Sequence, residues 1–297
     1  LLLEVLVASK TSFDLVKFRN NRLLFNQVLS RIPATSAGQL IHRAAEQVLA
    51  ALKAVFILDP VPGQMRQYVP RRDALLRSNA DNLSAAVASL LEDPEARKSL
   101  LAALTKFNEQ EVVDMATSAS SLDDLMLTVT ERFRGNVHQV PARVMSDGTL
   151  RFLAILVALA EAPSVEVDQA PTAGEAVGQT TVVIEELENG LHASQVKMLM
   201  GIVRDDVKRR RVRALATAHS PIVLEALTGD EHRSVIVCQR DTLGQSTLCR
   251  LTELPNYVNI VAGGGPGRAA VDGRLRASEG PPPDPGGLLD RIFERTS

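Results

Sequence analysis

The chain has no tryptophan, two tyrosines and eight phenylalanines in 297 residues. So small an aromatic content argues against a platform that stacks the bases of single-stranded nucleic acid. Nor is there an apolar run of about 18 residues, so no membrane-spanning helix is expected, and no secretory leader is expected either. We therefore expect a cytoplasmic protein without a membrane partner. The two cysteines, Cys238 and Cys249, close two strand-like runs. They read as reduced core thiols, with a disulfide between them as the alternative, and with no histidine pair nearby they do not make a zinc site. The formal net charge of −2 gives no overall attraction to nucleic acid or to an anionic membrane. With 45% apolar residues, a sizeable core spread over one or two domains is within reach.

What is present is concentrated in Thr181-Thr-Val-Val-Ile-Glu-Glu-Leu-Glu-Asn-Gly-Leu-His192. The β-branched run Val182-Val183-Ile184 reads as a buried strand. It delivers two adjacent carboxylates, Glu185 and Glu186, to its C-terminal end, where open α/β sheets place their ligands. Magnesium takes oxygen ligands and a water attacking a phosphate needs a base, so the pair points to nucleotide hydrolysis. Taken alone, two acids after a strand also fit a solvated strand end.

Two further elements are ordered around this pair. Upstream, Met145-Ser-Asp-Gly-Thr-Leu-Arg151 opens the longest apolar helix, expected from Leu150 to Leu159. Ser146 can cap it while neighbouring amides face an anion, and Gly148 permits close backbone approach. An ordinary helix cap explains the same residues. Downstream, Arg213-Ala-Leu-Ala-Thr-Ala-His-Ser-Pro221 reads as a small strand ending in Thr217, His219 and Ser220. His219 either bonds a phosphate oxygen or is structural.

The remaining pattern divides the chain. Residues 1–30 suggest two or three strands, Ala37 to Val55 a helix, and Phe56-Ile-Leu-Asp-Pro60 a short strand. From Asn79 to Phe133 the spacing predicts helices: one after Asn82, one started by Asp93-Pro94-Glu95, and a third capped by Ser121-Leu-Asp-Asp124 with Leu122, Leu125, Leu127 and Val129 on its face. Residues 161–180 read as a loop. Strand 181–186, helix 193–207, strand 212–217, helix 221–227 and strand 233–238 make a β-α-β-α-β run, the mark of a parallel sheet. Gln245 to Leu251 suggests an antiparallel edge strand. The Gly/Pro-rich stretch from Gly263 to Gly287 is expected to be disordered, with a short helix from Leu288 to Arg295. Lys208-Arg-Arg-Arg-Val-Arg213, the one basic run, suits a helix C-terminus or a DNA phosphate patch. His42 and His138 show no partners in the sequence and read as structural.

Together the three elements resemble the ABC-type ATPase heads of the SMC, RecF and OLD group, and most of all the bacterial AAA family of the AAA-21 type. Met145-Ser-Asp-Gly-Thr149 is similar to its signature motif, Val182 to Glu186 to its Walker B strand, Glu188-Asn-Gly-Leu-His192 to its D-loop region, and Ala218-His219-Ser220 to its switch histidine. Ile57-Leu-Asp-Pro60, Leu76 to Leu83 and Leu254-Pro-Asn-Tyr257 match more softly. The resemblance implies an α/β, P-loop NTPase core in three layers with a parallel sheet, an antiparallel β region at the N-terminus and an inserted helical subdomain. It divides the chain into core residues 1–78, a helical lobe 79–145, core residues 146–262 and a tail 263–297.

It also implies ATP and Mg²⁺ as cofactors. Glu185 would hold the metal, Glu186 would orient the attacking water, and His219 would bond the γ-phosphate. Ser146, Asp147 and Gly148 would contact nucleotide held by a second copy, making an ATP-dependent homodimer. DNA or a protein encoded nearby are the further partners implied, in repair, phage defence or a toxin-linked system.

The sequence departs from the family at Leu187 and Ala193, where proline is usual, and at Glu185, where most ABC proteins carry aspartate. No Gly-x-x-x-x-Gly-Lys-Ser/Thr occurs, so the N-terminal Walker A segment is expected to be missing and the chain as written to bind ATP poorly. The alternative is a non-catalytic regulatory or interaction module that has lost this loop. A nuclease of the OLD kind would add an acidic metal-binding domain after Leu251, and none is expected here.

Overall fold

The computed structural model describes residues 3–8, 13–18, 27, 30–32, 36–162, 180–210, 212–240 and 244–275. They fall into two compact units, residues 1–191 with 201–218, and residues 192–200 with 219–297.

The first unit opens with an antiparallel pair, β1 (Leu3–Ala8) and β2 (Phe13–Phe18). Helix α1 (Ser36–Lys53) follows, and β3 (Val55–Leu58) enters a three-stranded parallel sheet of order β3-β8-β9, with β8 at Thr181–Ile184 and β9 at Arg213–Ala216. The central strand is the apolar run singled out above, and Val182 and Ile184 are fully buried. A second, antiparallel sheet is built from β4 (Val69–Pro70), β5 (Glu111–Ala119), β6 (Asp124–Phe133) and β7 (Asn136–Pro141). The short helix α2 (Pro62–Met65) and the helices α3 (Leu83–Leu90), α4 (Pro94–Phe107) and α5 (Asp147–Glu161) complete the unit.

Helix α5 is its core. Leu150 and Phe152 to Leu159 are all buried, so the helix is apolar on every side and is enclosed by its neighbours. The Phe152 ring stacks on Phe107 of α4 at 3.9 Å between centroids. Burial of the Asn82 side chain is possible because it is fully bonded. Its amide donates to the carbonyls of Asp73 and Leu75, both at 2.6 Å, and its oxygen accepts from Arg77 N at 2.9 Å. That knot fixes the 73–82 loop, which in turn holds the end of β3, since Asp59 N donates to Ser78 O and Val61 N to Asn79 O.

The helical reading of 79–133 holds for α3 and α4, and Asp93 does cap α4 by accepting from Glu95 N. It fails beyond them, because residues 111–119 and 124–133 are strands. Leu122, Leu125 and Val129 mimic helical spacing, but Leu125, Leu127 and Val129 also alternate, and the β-branched Thr128-Val129-Thr130 favours the strand. Leu122, placed on the helix face by the sequence, is 83% exposed in the β5–β6 turn. Ser120, not Ser121, organises that turn by accepting from Leu122 N and Asp124 N. Arg134 and Gly135, with φ of 49° and 84°, form the two-residue turn between β6 and β7. The inserted segment is therefore helical only in its first half.

The second unit is smaller. Helix α6 (Ala193–Arg210) runs between the two units in sequence. After it come α7 (Pro221–Glu225), the antiparallel hairpin β10 (Ile236–Arg240) and β11 (Ser246–Arg250), α8 (Tyr257–Ala262) and α9 (Pro266–Val271). Leu251, Leu254, Ile260 and Ala269 form its core. Two expectations are corrected here. Strand β10 pairs with β11 in a two-stranded antiparallel sheet and with no other of the described strands. Residues 263–275 are not disordered. Gly264 and Gly265 adopt φ of 107° and 93°, a turn that only glycine makes freely, and Pro266 then starts α9. The stretch 276–297, including the expected terminal helix, and the loop at 163–179 lie outside the described residues.

Both cysteines are free. Cys249 packs against the small core, whereas Cys238 is exposed and so is not a core thiol. His42 does have a partner: its Nε2 donates to Ile32 O at 2.9 Å. Among the described residues no helix is long and apolar enough to cross a membrane.

Glu161 closes α5 with a carboxylate at the negative end of a helix, half-buried, accepting from Leu76 N at 2.9 Å. Burial pushes its carboxyl above the usual range, and the Leu76 amide only partly offsets this. With the folded value raised, the unfolded chain loses its proton first. The carboxylate therefore subtracts stability as pH climbs from the unfolded value through the folded one, and nothing below both. Glu161→Gln keeps an acceptor for Leu76 without a charge, so it should melt higher than wild type at pH 7 and at the same temperature near pH 3. Equal melting temperatures at pH 7 would contradict this.

Candidate functional site

The acid pair sits where the sequence placed it, directly after β8. Glu185 N donates to Leu58 O of β3 at 3.0 Å, which continues the parallel ladder by one residue. Its side chain is exposed. At Glu186 the backbone leaves the sheet abruptly, with φ of +46°. A non-glycine residue in the left-handed region costs on the order of 1–3 kcal/mol and persists only where its surroundings impose it. Here Thr217, just beyond β9, imposes it. Its Oγ1 accepts from Glu186 N at 3.0 Å, its carbonyl accepts from Leu187 N at 3.1 Å, and its own N donates to Ile184 O at 3.0 Å. Leu187 is thereby turned into the core, leaving the Glu186 carboxylate outside. Asn189 N donates to Glu186 O at 2.9 Å, and Asn189 Nδ2 donates to Glu186 Oε2 at 3.0 Å.

The signature-like segment caps α5 as expected. Ser146 Oγ accepts from Thr149 N at 3.0 Å, and its extended backbone ends the preceding loop. Gly148 answers the expectation of close backbone approach, since a Cβ built there would stand 2.5 Å from Gly190 O and 3.2 Å from Leu191 Cδ2. The turn after the acids and the start of α5 are therefore in direct backbone contact. Gly190 has φ of +76°. Arg66, which follows α2, carries no motif that marks it in the sequence. Its guanidinium donates to Met145 O at 2.8 Å and to Asp147 Oδ1 at 2.7 Å, holding the loop ahead of the helix.

Ser146, Asp147, Gly148, Glu185 and Glu186 thus belong to one unit, and the Gly148–Gly190 contact ties the two segments together. His219 belongs to the second unit. It is exposed and precedes Ser220, whose hydroxyl caps α7 by accepting from Ile222 N at 3.4 Å. In the basic run, Arg209 pairs with Asp206 within α6, and Lys208 and Arg209 lie in its last turn, as a helix C-terminus favours.

With strand, acid turn and capped helix in place, comparison with known proteins is informative. Residues 11–225, more than half of the chain, match the family described as "AAA domain, putative AbiEii toxin, Type IV TA system". The chain belongs to this family. It carries an AAA domain in a mixed α/β fold. No curated protein matches it.

Among solved structures, three SMC ATPases are similar to the AAA chain at low scores. One is described in terms of ATP-driven dimerisation and DNA-stimulated activation, with 11% identity over 52% of this chain and 81% of that one, and a TM-score of 0.35. The Smc head domain with a coiled coil and joint from Pyrococcus yayanosii has 12% identity over 56% and 28%, with a TM-score of 0.37. The Smc head domain from Pyrococcus furiosus, bound to the C-terminal domain of ScpA, has 13% over 80% and 55%, with a TM-score of 0.33. The present chain thus spans about a quarter and about half of the length of the latter two. The family assignment rests on the family match.

Proposed function

We propose that the full-length protein is an ATP-binding, Mg²⁺-dependent ATP-hydrolysing head that dimerises on nucleotide. The observation that carries this reading is the strained Glu186 at the C-terminal end of a buried parallel strand. An exposed carboxylate is held there in an unfavourable backbone conformation by the neighbouring strand, a cost that a mere solvated strand end would not sustain.

Glu185 and Glu186 divide the work by position. Glu185 continues the strand and presents an exposed carboxylate oxygen set. Mg²⁺ keeps several waters and takes one or two protein carboxylates beside substrate phosphates, so this single carboxylate fits its needs. When bound, the ion would neutralise charge on the β- and γ-phosphates. Glu186, turned out of the strand, accepts a hydrogen bond from the attacking water and orients it. His219 donates to a γ-phosphate oxygen. Ser146 and Gly148 would contact the γ-phosphate held by a second copy from the N-terminus of the 15-residue α5, where Asp147 pairs with Arg66. DNA or a partner protein would be what the dimer acts on, in the cytoplasm.

Phosphate release from ATP by the full-length protein tests this. The expected result is release in Mg²⁺ that falls to background in excess EDTA. Absence of release in Mg²⁺ would sink the proposal.

A further inference from the structure

We infer that Asn189 is a positioning residue for Glu186, an assignment that rests on the reading of Glu186 as the water-orienting carboxylate. Of the two carboxylate oxygens, Oε2 is taken by Asn189 Nδ2 at 3.0 Å. Asn189 can serve this way because its own backbone is fixed twice over. Its N donates to Glu186 O, which closes a tight turn, and the next residue, Gly190, is seated on Gly148. The side chain spans three residues of a turn whose first member is held by Thr217, so neither end of the amide–carboxylate bond is free to drift. An amide is suited to this task because it donates without adding charge, leaving Oε1 to accept from water. A carboxylate at position 189 would compete with Glu186, and a lysine would neutralise it.

The charged groups around the turn are few. Glu185 and Glu188 lie on its own segment, Asp59 follows the end of β3, and Asp147, paired with Arg66, flanks Gly190 through its Cβ at 3.7 Å from where a Gly190 Cβ would stand. The C-terminal end of β9 contributes Ala216 and Thr217 and no charge.

The test is ATP turnover by the full-length protein, with Asn189→Ala, Asn189→Asp and Glu186→Gln measured alongside wild type, and each Asn189 variant also combined with Glu186→Gln. Asn189→Ala removes the donor and should lower kcat about ten-fold, while KM for ATP stays within about two-fold, because the interaction concerns the water and not the bound nucleotide. Asn189→Asp has the shape of asparagine but no donor, and should lose at least as much, which keeps the test open if Asn189→Ala folds poorly. In the Glu186→Gln background neither Asn189 variant should lower the residual turnover further, whereas a loss of packing alone would lower it by the same factor as in wild type. If Glu186→Gln is inactive while both Asn189 variants turn over within about two-fold of wild type, the assignment of Asn189 is overturned and the role of Glu186 stands. If Glu186→Gln turns over like wild type, or wild type releases no phosphate, the reading of Glu186 falls and this inference with it.

Discussion

Replacing Glu186 by glutamine should lower ATP turnover by the full-length protein about 10²–10⁴-fold, the range a positioned acid–base group contributes. The reasoning is local. Glutamine has the shape of glutamate, can adopt the same φ of +46°, and can still accept from Asn189 Nδ2 through its amide oxygen. What it cannot do is take up a proton or polarise a water as a carboxylate does. The fold should be untouched, with stability changing by no more than about 0.5 kcal/mol, as for other exposed substitutions. Glu186→Gly sharpens the point. It relieves the left-handed strain and should melt higher than wild type, by about 1 kcal/mol, while turnover is lost equally. A Glu186→Gly protein that is less stable than wild type would show that the strain is not stored at this residue. Turnover by Glu186→Gln within a few-fold of wild type would remove Glu186 from the chemistry.

The second large effect is expected at Gly148. A methyl group there meets Gly190 O at 2.5 Å, a backbone atom and not the end of a pliable side chain. Gly190 cannot retreat easily, because its turn is tied to Glu186 through Asn189 and its φ is positive. Overpacking of this kind costs about 1–3 kcal/mol. For a chain of this size that is a fall in melting temperature of about 2–5 °C. Because the clash pushes apart the start of α5 and the acid turn, turnover should fall with it, although alanine removes no hydrogen bond. Ser146→Ala is the useful contrast: it loses the cap to Thr149 N, worth about 1 kcal/mol, but leaves the Gly148–Gly190 contact intact. If Gly148→Ala melts with wild type, the contact is not close-packed and the link between the two segments fails.

The parts of this site that could be read from the sequence are those whose conformation is set by their neighbours in the chain. Val182 to Ile184 announces a buried strand because three β-branched residues leave little else to form. Ser146 announces a cap because it precedes an uninterrupted apolar helix. The features that escaped are set by distant residues. Nothing near Glu186 signals its left-handed backbone, which depends on a hydroxyl 31 positions away at Thr217. Arg66 reaches Asp147 across 81 positions. The misread stretch 111–133 has a different cause: Leu122, Leu125 and Val129 satisfy a helical period while Leu125, Leu127 and Val129 satisfy a strand period, and pairing with β5 and β7 decided between them. The glycines at 263–265 were read as disorder when they make a turn into α9.

In the proposed cycle, nucleotide closes two heads on one another around Glu186 and Ser146. Light scattering of full-length Glu186→Gln with ATP and Mg²⁺ reads this closure, because the variant should hold the nucleotide without consuming it. The expected result is a dimer that reverts to monomer when ATP is removed. A protein that stays monomeric at saturating ATP would contradict it.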